Sequence, residues 1–193
     1  MRCPTPIRRL CGAAAIGMAA MVALPASGFA EDAAAQESDS ATKSVTLMTA
    51  DGGEAGTATF RQAHHGVIIT LDLANLTPGP HGLHIHETGA CTPDFKAAGG
   101  HYNPQGSEHG FGTEGGHHIG DLPNIVVADD GTARGDVFVP EMSLNETEDD
   151  RNPYSLSDAD GSAIMVHAGV DDYRDMASSG DRAACGVIVP GGG

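Results

Sequence analysis

The sequence has no tryptophan, three tyrosines and five phenylalanines in 193 residues. A core built on large aromatic rings is therefore excluded, and Val, Ile, Leu and Ala must supply it. Cations are also scarce: ten Lys and Arg stand against 26 Asp and Glu, a formal charge of −16. Such an excess of acid argues against nucleic acid and anionic membrane surfaces as partners. Long apolar runs are missing too. The longest, Ala13 to Leu24, has twelve residues, well short of the roughly 20 that a spanning helix needs. No amphipathic helix and no internal repeat is legible. Glycine, by contrast, is abundant at 27 residues, which points to turns and tight loops.

The short apolar run has its own reading. Arg2, Arg8 and Arg9 precede it, and the small residues Pro25-Ala26-Ser27-Gly28-Phe29-Ala30 close it. This is the layout of a secretory signal peptide, with cleavage expected after Ala30. Cys11 precedes the apolar run instead of closing it, so a lipoprotein anchor does not fit. Removing residues 1–30 takes three basic residues and no acidic ones, leaving seven against 26 and a formal charge of −19. It also takes Cys3 and Cys11. Cys91 and Cys185 remain, an even pair in an exported chain, which predicts one intrachain disulfide. Closing a loop of that length is worth about 4–5 kcal/mol in the chain-entropy picture.

Residues 31–43 carry Ala, Glu, Asp, Ser and Gln without apolar periodicity and read as a disordered linker. Short β-prone runs follow: Ser44–Thr49, Gly56–Phe60, Val67–Leu73, Leu83–Glu87, Leu122–Ala128, Thr132–Val139, Ser162–His167 and Ala184–Val189. Gly-, Pro- and Asp-rich breakers separate them. Three segments lack periodicity. Thr88–Gly120 is rich in Gly, His and Pro, and so long an irregular stretch within a compact domain is expected to be functional. Glu141–Asp160 is acidic and reads as a surface loop, and Ala168–Arg182 is a further loop. Eight short strands in residues 44–190 predict one all-β domain, a sandwich or barrel.

All ten histidines follow the signal segment, and most lie between positions 81 and 118. His84 and His86 are two apart in a strand and so share a face. That is half of a metal site, or merely two solvated rings. His101, His109, His118 and Asp121 form a credible tetrahedral zinc set. The pair His84 and His86 needs more ligands, with His167 one candidate and His101 another if it faces two metals. Imidazole suits zinc and copper, not calcium or magnesium.

Five stretches carry a resemblance: Gly82-Leu83-His84-Ile85-His86, Gly100-His101-Tyr102-Asn103-Pro104, His118-Ile119-Gly120-Asp121, Met165-Val166-His167-Ala168 and Arg182-Ala183-Ala184-Cys185-Gly186-Val187-Ile188. In order and spacing they resemble the Cu,Zn superoxide dismutases from about Ser44 to Val189. Residues 95–101 and 167–173 resemble the bacterial, exported branch of that family. The resemblance implies an eight-stranded Greek-key β-barrel with two long functional loops. It implies copper ligands at His84, His86, His101 and His167, and zinc ligands at His101, His109, His118 and Asp121, with His101 bridging. Asp171 matches the carboxylate that links His84 to His109, and its neighbour Asp172 fits the offset from His167 less well. Cys91 and Cys185 match the family disulfide. Arg182 matches the arginine that binds the anionic substrate, so His101 and Arg182 are the expected catalytic pair. The implied reaction is 2 O₂⁻ + 2 H⁺ → O₂ + H₂O₂, with copper changing oxidation state and zinc holding the shared ring.

The same resemblance implies superoxide as partner, no nucleic acid, no membrane after signal removal, a monomer or a homodimer, and a periplasmic or otherwise exported location. The alternative is an exported copper/zinc buffering or delivery protein on the same fold. Such a buffer needs neither Arg182 nor a bridging His101. Of the other histidines, His81 is expected to make a structural backbone hydrogen bond and His64 and His65 to be solvated. The register with Asp121 favours His118 over His117. The loop from 168 to 180 carries Asp171, Asp172 and Asp175 against Arg174 alone. Guidance of an anion must therefore come from Arg182, the metals, and Lys96 or Arg174.

Overall fold

The computed structural model describes residues 41–146 and 149–192. The expected signal segment and most of the expected linker lie outside them. Eight strands form one antiparallel sheet: β1 (Thr42–Thr49), β2 (Glu54–Ala63), β3 (Gly66–Leu73), β4 (Gly79–His86), β5 (Asp121–Val127), β6 (Ala133–Pro140), β9 (Ser162–His167) and β10 (Arg182–Val189). Between the last two pairs come the two-residue strands β7 (Met142–Ser143) and β8 (Tyr154–Ser155). The spatial order is β5-β4-β9-β10-β1-β2-β3-β6. The sheet's two end strands, β5 and β6, lie alongside each other, so it curls into a nearly closed barrel.

Period-two alternation builds the core. Val45 and Leu47 of β1, Ala58 and Phe60 of β2, and Val67, Ile69, Leu71 and Leu73 of β3 all point inward and are buried. Leu83 and Ile85 of β4 and Ile164 and Val166 of β9 join the same cluster. Their neighbours His84, His86, Ala163 and Met165 are buried as well. On that side of the sheet, long loops replace solvent, and a second small apolar cluster of Ala98, Ala163, Met165 and Cys185 lies beneath them.

The element bounds differ from expectation in informative places. β1 begins at Thr42, inside the expected linker, because β2 is long enough to pair Thr42 with Arg61. β4 begins at Gly79, inside the expected breaker. Pro80 pairs only with Val126 of β5 there, while β9 joins β4 from Leu83 onward. A proline on a one-sided stretch interrupts no second ladder. The segment 141–160 is more than a surface loop: Met142, Leu144 and Leu156 belong to the main core. Gln62 fastens it, its Oε1 accepting from Leu144 N at 2.7 Å while Nε2 donates to the Gly66 carbonyl at 3.0 Å. Scattered apolar residues in an acidic background gave no period to read. The irregular stretch 88–120 contains one turn of 3₁₀ helix, Phe95–Ala98.

Candidate metal centre

β4 is the platform. The backbone of Ile85 donates to the Gly120 carbonyl at 2.8 Å, and Tyr102 N donates to the Ile85 carbonyl at 2.8 Å. Two distant parts of the 88–120 segment are thereby paired along the edge of β4 just beyond β5, bringing His101 beside His86 as an isolated bridge. Gly120 allows this approach, since a Cβ there would lie 2.3 Å from the Ile85 carbonyl oxygen. On the other side, β10 carries one extra residue, Ala183, against β9, and this bulge sets Arg182 opposite His167. Bulges re-aim side chains in this way.

Two groups of ligand-type atoms result, each with its atoms within 4.8 Å of one another. The first is His84, His86, His101 and His167. The outer ring nitrogens of three of them are engaged. His84 Nε2–H donates to Asp171 Oδ2 at 2.7 Å, His86 Nδ1–H to the Gly99 carbonyl at 3.1 Å and His167 Nδ1–H to the Gly180 carbonyl at 3.2 Å. That leaves lone pairs on His84 Nδ1, His86 Nε2 and His167 Nε2, all buried and without a hydrogen-bond partner. Buried orphan acceptors are costly, and three converging on one point call for a cation. Burial, then the neighbouring His101, pulls His84 down to about 3 and His86 to about 2. Burial first, with His101 and Arg182 adding to it, takes His167 to about 4. These rings are neutral at pH 7, as metal ligation requires.

The second group is His101, His109, His118 and Asp121. Asp121 Oδ1 lies 2.8 Å from His101 Nδ1, 3.0 Å from His109 Nδ1 and 3.4 Å from His118 Nδ1. His118 Nδ1 is 3.4 Å from His101 Nδ1. A tetrahedron with zinc–ligand bonds of 2.0–2.1 Å has edges of about 3.3–3.4 Å. One oxygen facing three nitrogens at nearly that spacing is a ligand cage, slightly contracted. Asp121 Oδ2 accepts from Gly110 N at 2.8 Å and from His118 N at 3.0 Å, which aims Oδ1 inward. Burial raises the Asp121 carboxyl, but the hydrogen bonds from His101 and Gly110 outweigh it and hold the group well below the ordinary range.

His101 belongs to both groups, and Asp171 joins them a second time. Its Oδ2 takes the His84 bond and its Oδ1 accepts from His109 Nε2 at 3.2 Å. Asp172 is exposed and caps the amides of Arg174 and Asp175 instead. His81 is buried outside both groups, with ring nitrogens at the carbonyls of His167 (2.6 Å) and Thr77 (2.7 Å). His117 bonds the His118 carbonyl and packs on Phe111, and His64 and His65 are exposed.

The guanidinium of Arg182 donates to the carbonyls of Phe95 and Gly99. The Gly99 carbonyl is the one that also faces His86. The Cys91–Cys185 disulfide ties this loop to β10, its cysteines 94 positions apart in sequence. Arg182 and Lys96 line a cavity of about 680 Å³ together with Asp94, Asp181 and Phe95. Arg174 does not line it. These carbonyl contacts, and a contact from Asn124 to the Asp171 backbone, were not legible in the sequence. Only the placement of an asparagine inside a strand hinted at the second.

The profile of the copper/zinc superoxide dismutase (SODC) family matches residues 54–188. The chain belongs to this family. It is 43% identical over 148 residues to the "Superoxide dismutase [Cu-Zn]" of Caulobacter vibrioides, covering 75% of this chain and 83% of that one. With the protein of the same name from Photobacterium leiognathi it shares 39% identity over 174 residues, 83% of this chain and 91% of the relative. Among solved structures, a double mutant of a SOD-like protein from Bacillus subtilis superposes with a TM-score of 0.70 at 38% identity, covering 76% of this chain and 96% of that chain. The eight-stranded barrel and the Cys91–Cys185 disulfide that the sequence resemblance implied are both present.

Proposed function

We propose that this chain catalyses superoxide dismutation, 2 O₂⁻ + 2 H⁺ → O₂ + H₂O₂, at a copper held by His84, His86, His101 and His167 beside a zinc held by His101, His109, His118 and Asp121. The observation that carries the assignment is the sharing of His101 between two buried ligand groups, one of them lined by three orphaned nitrogens. The donor sets fit the two metals. Four imidazoles suit copper, and three imidazoles with a carboxylate suit zinc. When bound, copper supplies the one-electron oxidation and reduction of superoxide, and zinc, which has no redox chemistry, does not.

The chain's own residues do the rest. Arg182 spends part of its donor fork on two carbonyls and keeps the remaining N–H groups for a small anion. His101 has Nδ1 on the zinc side, which leaves Nε2 as the atom that takes up a proton in one half-reaction and releases it in the other. Asp171 holds His84 and His109 in fixed tautomers and ring orientations. The copper/zinc buffering alternative is not favoured: it gives no purpose to the donors that Arg182 keeps beyond its two carbonyl contacts, and the relatives carry the dismutase name. Export through the segment 1–30 places the enzyme in the periplasm, where Cys91 and Cys185 oxidise. Metal analysis with a dismutation assay tests the reading. One copper and one zinc per chain with activity is the expected result. The same metal content without activity would favour a buffer.

A further inference from the structure

Asp171 sits on a loop, yet it must meet two histidines from different parts of the chain at 2.7 and 3.2 Å. A loop carboxylate needs a rigid support to hold such a position. That support comes from Asn124 on β5. Its side-chain Nδ2 donates to the Asp171 carbonyl at 2.8 Å, and its Oδ1 accepts from the Asp171 amide at 2.9 Å. The side chain thus pairs with the Asp171 backbone as a neighbouring strand would. Its own backbone N–H donates to the Tyr173 hydroxyl at 2.8 Å, and Tyr173 N donates to Asp171 Oδ1 at 2.7 Å.

Asn124 lies at a defect built into β5. His81 pairs with Ile125 but Leu83 pairs with Leu122, so Pro123 and Asn124 together oppose Gly82. A bulge of this kind leaves a residue out of the ladder and redirects it, and both Pro and Asn are otherwise poorly suited to a strand. Gly82 is itself close to the network: a Cβ there would fall 3.3 Å from His84 and 3.5 Å from Asp171.

We infer that Asn124 is a positioning residue for the metal centre, fixing Asp171 so that one carboxylate orients His84 and His109 together. The inference rests on the ligand assignment proposed above. Its test uses the full chain and compares wild type, Asn124→Ala, Asp171→Asn and the double variant. Zinc dissociation constants are read by competition with a chromophoric chelator, and the copper site by electron paramagnetic resonance.

Asp171→Asn should weaken zinc by about 10–100-fold, as loss of a ligand's hydrogen-bond partner does. Asn124→Ala should weaken it by about tenfold and shift the copper spectrum in the same sense. The double variant should be no weaker than Asp171→Asn, because Asn124 acts through Asp171. Losses that multiply in the double variant would overturn the inference. So would an Asn124→Ala protein with a lower melting temperature but wild-type zinc affinity and spectrum. Wild-type affinity in Asp171→Asn would also overturn the inference, whereas the ligand assignment itself falls only if the wild-type chain binds no copper and zinc in the metal analysis above. Asn124→Asp keeps the volume and the acceptor but turns an oxygen toward the Asp171 carbonyl. It should show the same loss, and it carries the test if the alanine variant does not fold.

Discussion

At the scale of residues, protonation and anion binding depend on a few side chains. Unfolded, His84, His86 and His167 titrate near 6.5, and folded they titrate at about 3, 2 and 4. Between these limits the unfolded chain takes up protons that the folded chain refuses. Stability of the metal-free protein is therefore fully present above about pH 6.5 and falls as the pH drops toward 4 and below. Each such group contributes at most about 1.4 kcal/mol per pH unit. Urea midpoints measured on apoprotein from pH 8 to pH 4 should be flat at first and then decline, and a rising midpoint on acidification would contradict the assigned neutral rings. Arg182 makes a different prediction. With the anion-binding role proposed for it, truncation to alanine would remove charged hydrogen bonds to the anion, each worth about 1.5–3 kcal/mol, so kcat/KM should fall about 10–100-fold. Arg182→Lys should recover part of the loss, because charge returns without the planar fork. Copper paramagnetic resonance in both variants should match wild type, separating a lost substrate contact from a lost metal.

At the scale of elements, the site is a set of loops attached to a barrel, and the sequence revealed these two parts unequally. Strand interiors were legible because Val45 and Leu47, or Val67 through Leu73, alternate with period two. The members of the two buried groups were legible because imidazoles are rare elsewhere and fall at motif spacings. What stayed hidden depends on how loops fold back. The Phe95 and Gly99 carbonyls that hold Arg182 have no side-chain signature, and the bulge at Ala183 is invisible until β10 is paired with β9. The disulfide belongs to this level. It ties the loop bearing those carbonyls to the strand bearing Arg182, so it stabilises the fold and positions the arginine at once. Replacing both cysteines by serine should cost about 4–5 kcal/mol in chemical denaturation of the apoprotein. In the metal-loaded protein it should also lower kcat/KM with the copper spectrum retained. An unchanged kcat/KM would mean that β10 alone suffices to place Arg182.

At the scale of the whole molecule, charge opposes the reaction. The chain carries −16, and residues 31–193 alone carry −19, so its distant field repels superoxide. Attraction must be local. Lys96 shares the cavity of Arg182, whereas Arg174 is exposed on the loop beside Gly112 and outside that cavity. The two cations suggested by sequence are therefore not equivalent. Salt screens charges beyond about 10 Å at 0.1 M, weakening the distant repulsion more than the close attraction. Neutralising Lys96 leaves proportionally more of the repulsion, so Lys96→Gln should lower kcat/KM at low salt by a factor of about two to five. The dependence on ionic strength should shift toward activation by salt. Arg174→Gln should change either quantity much less. Stopped-flow rates from 10 to 300 mM salt decide the matter: equal effects of the two substitutions would mean that guidance comes from the diffuse field and not from the mouth of the cavity.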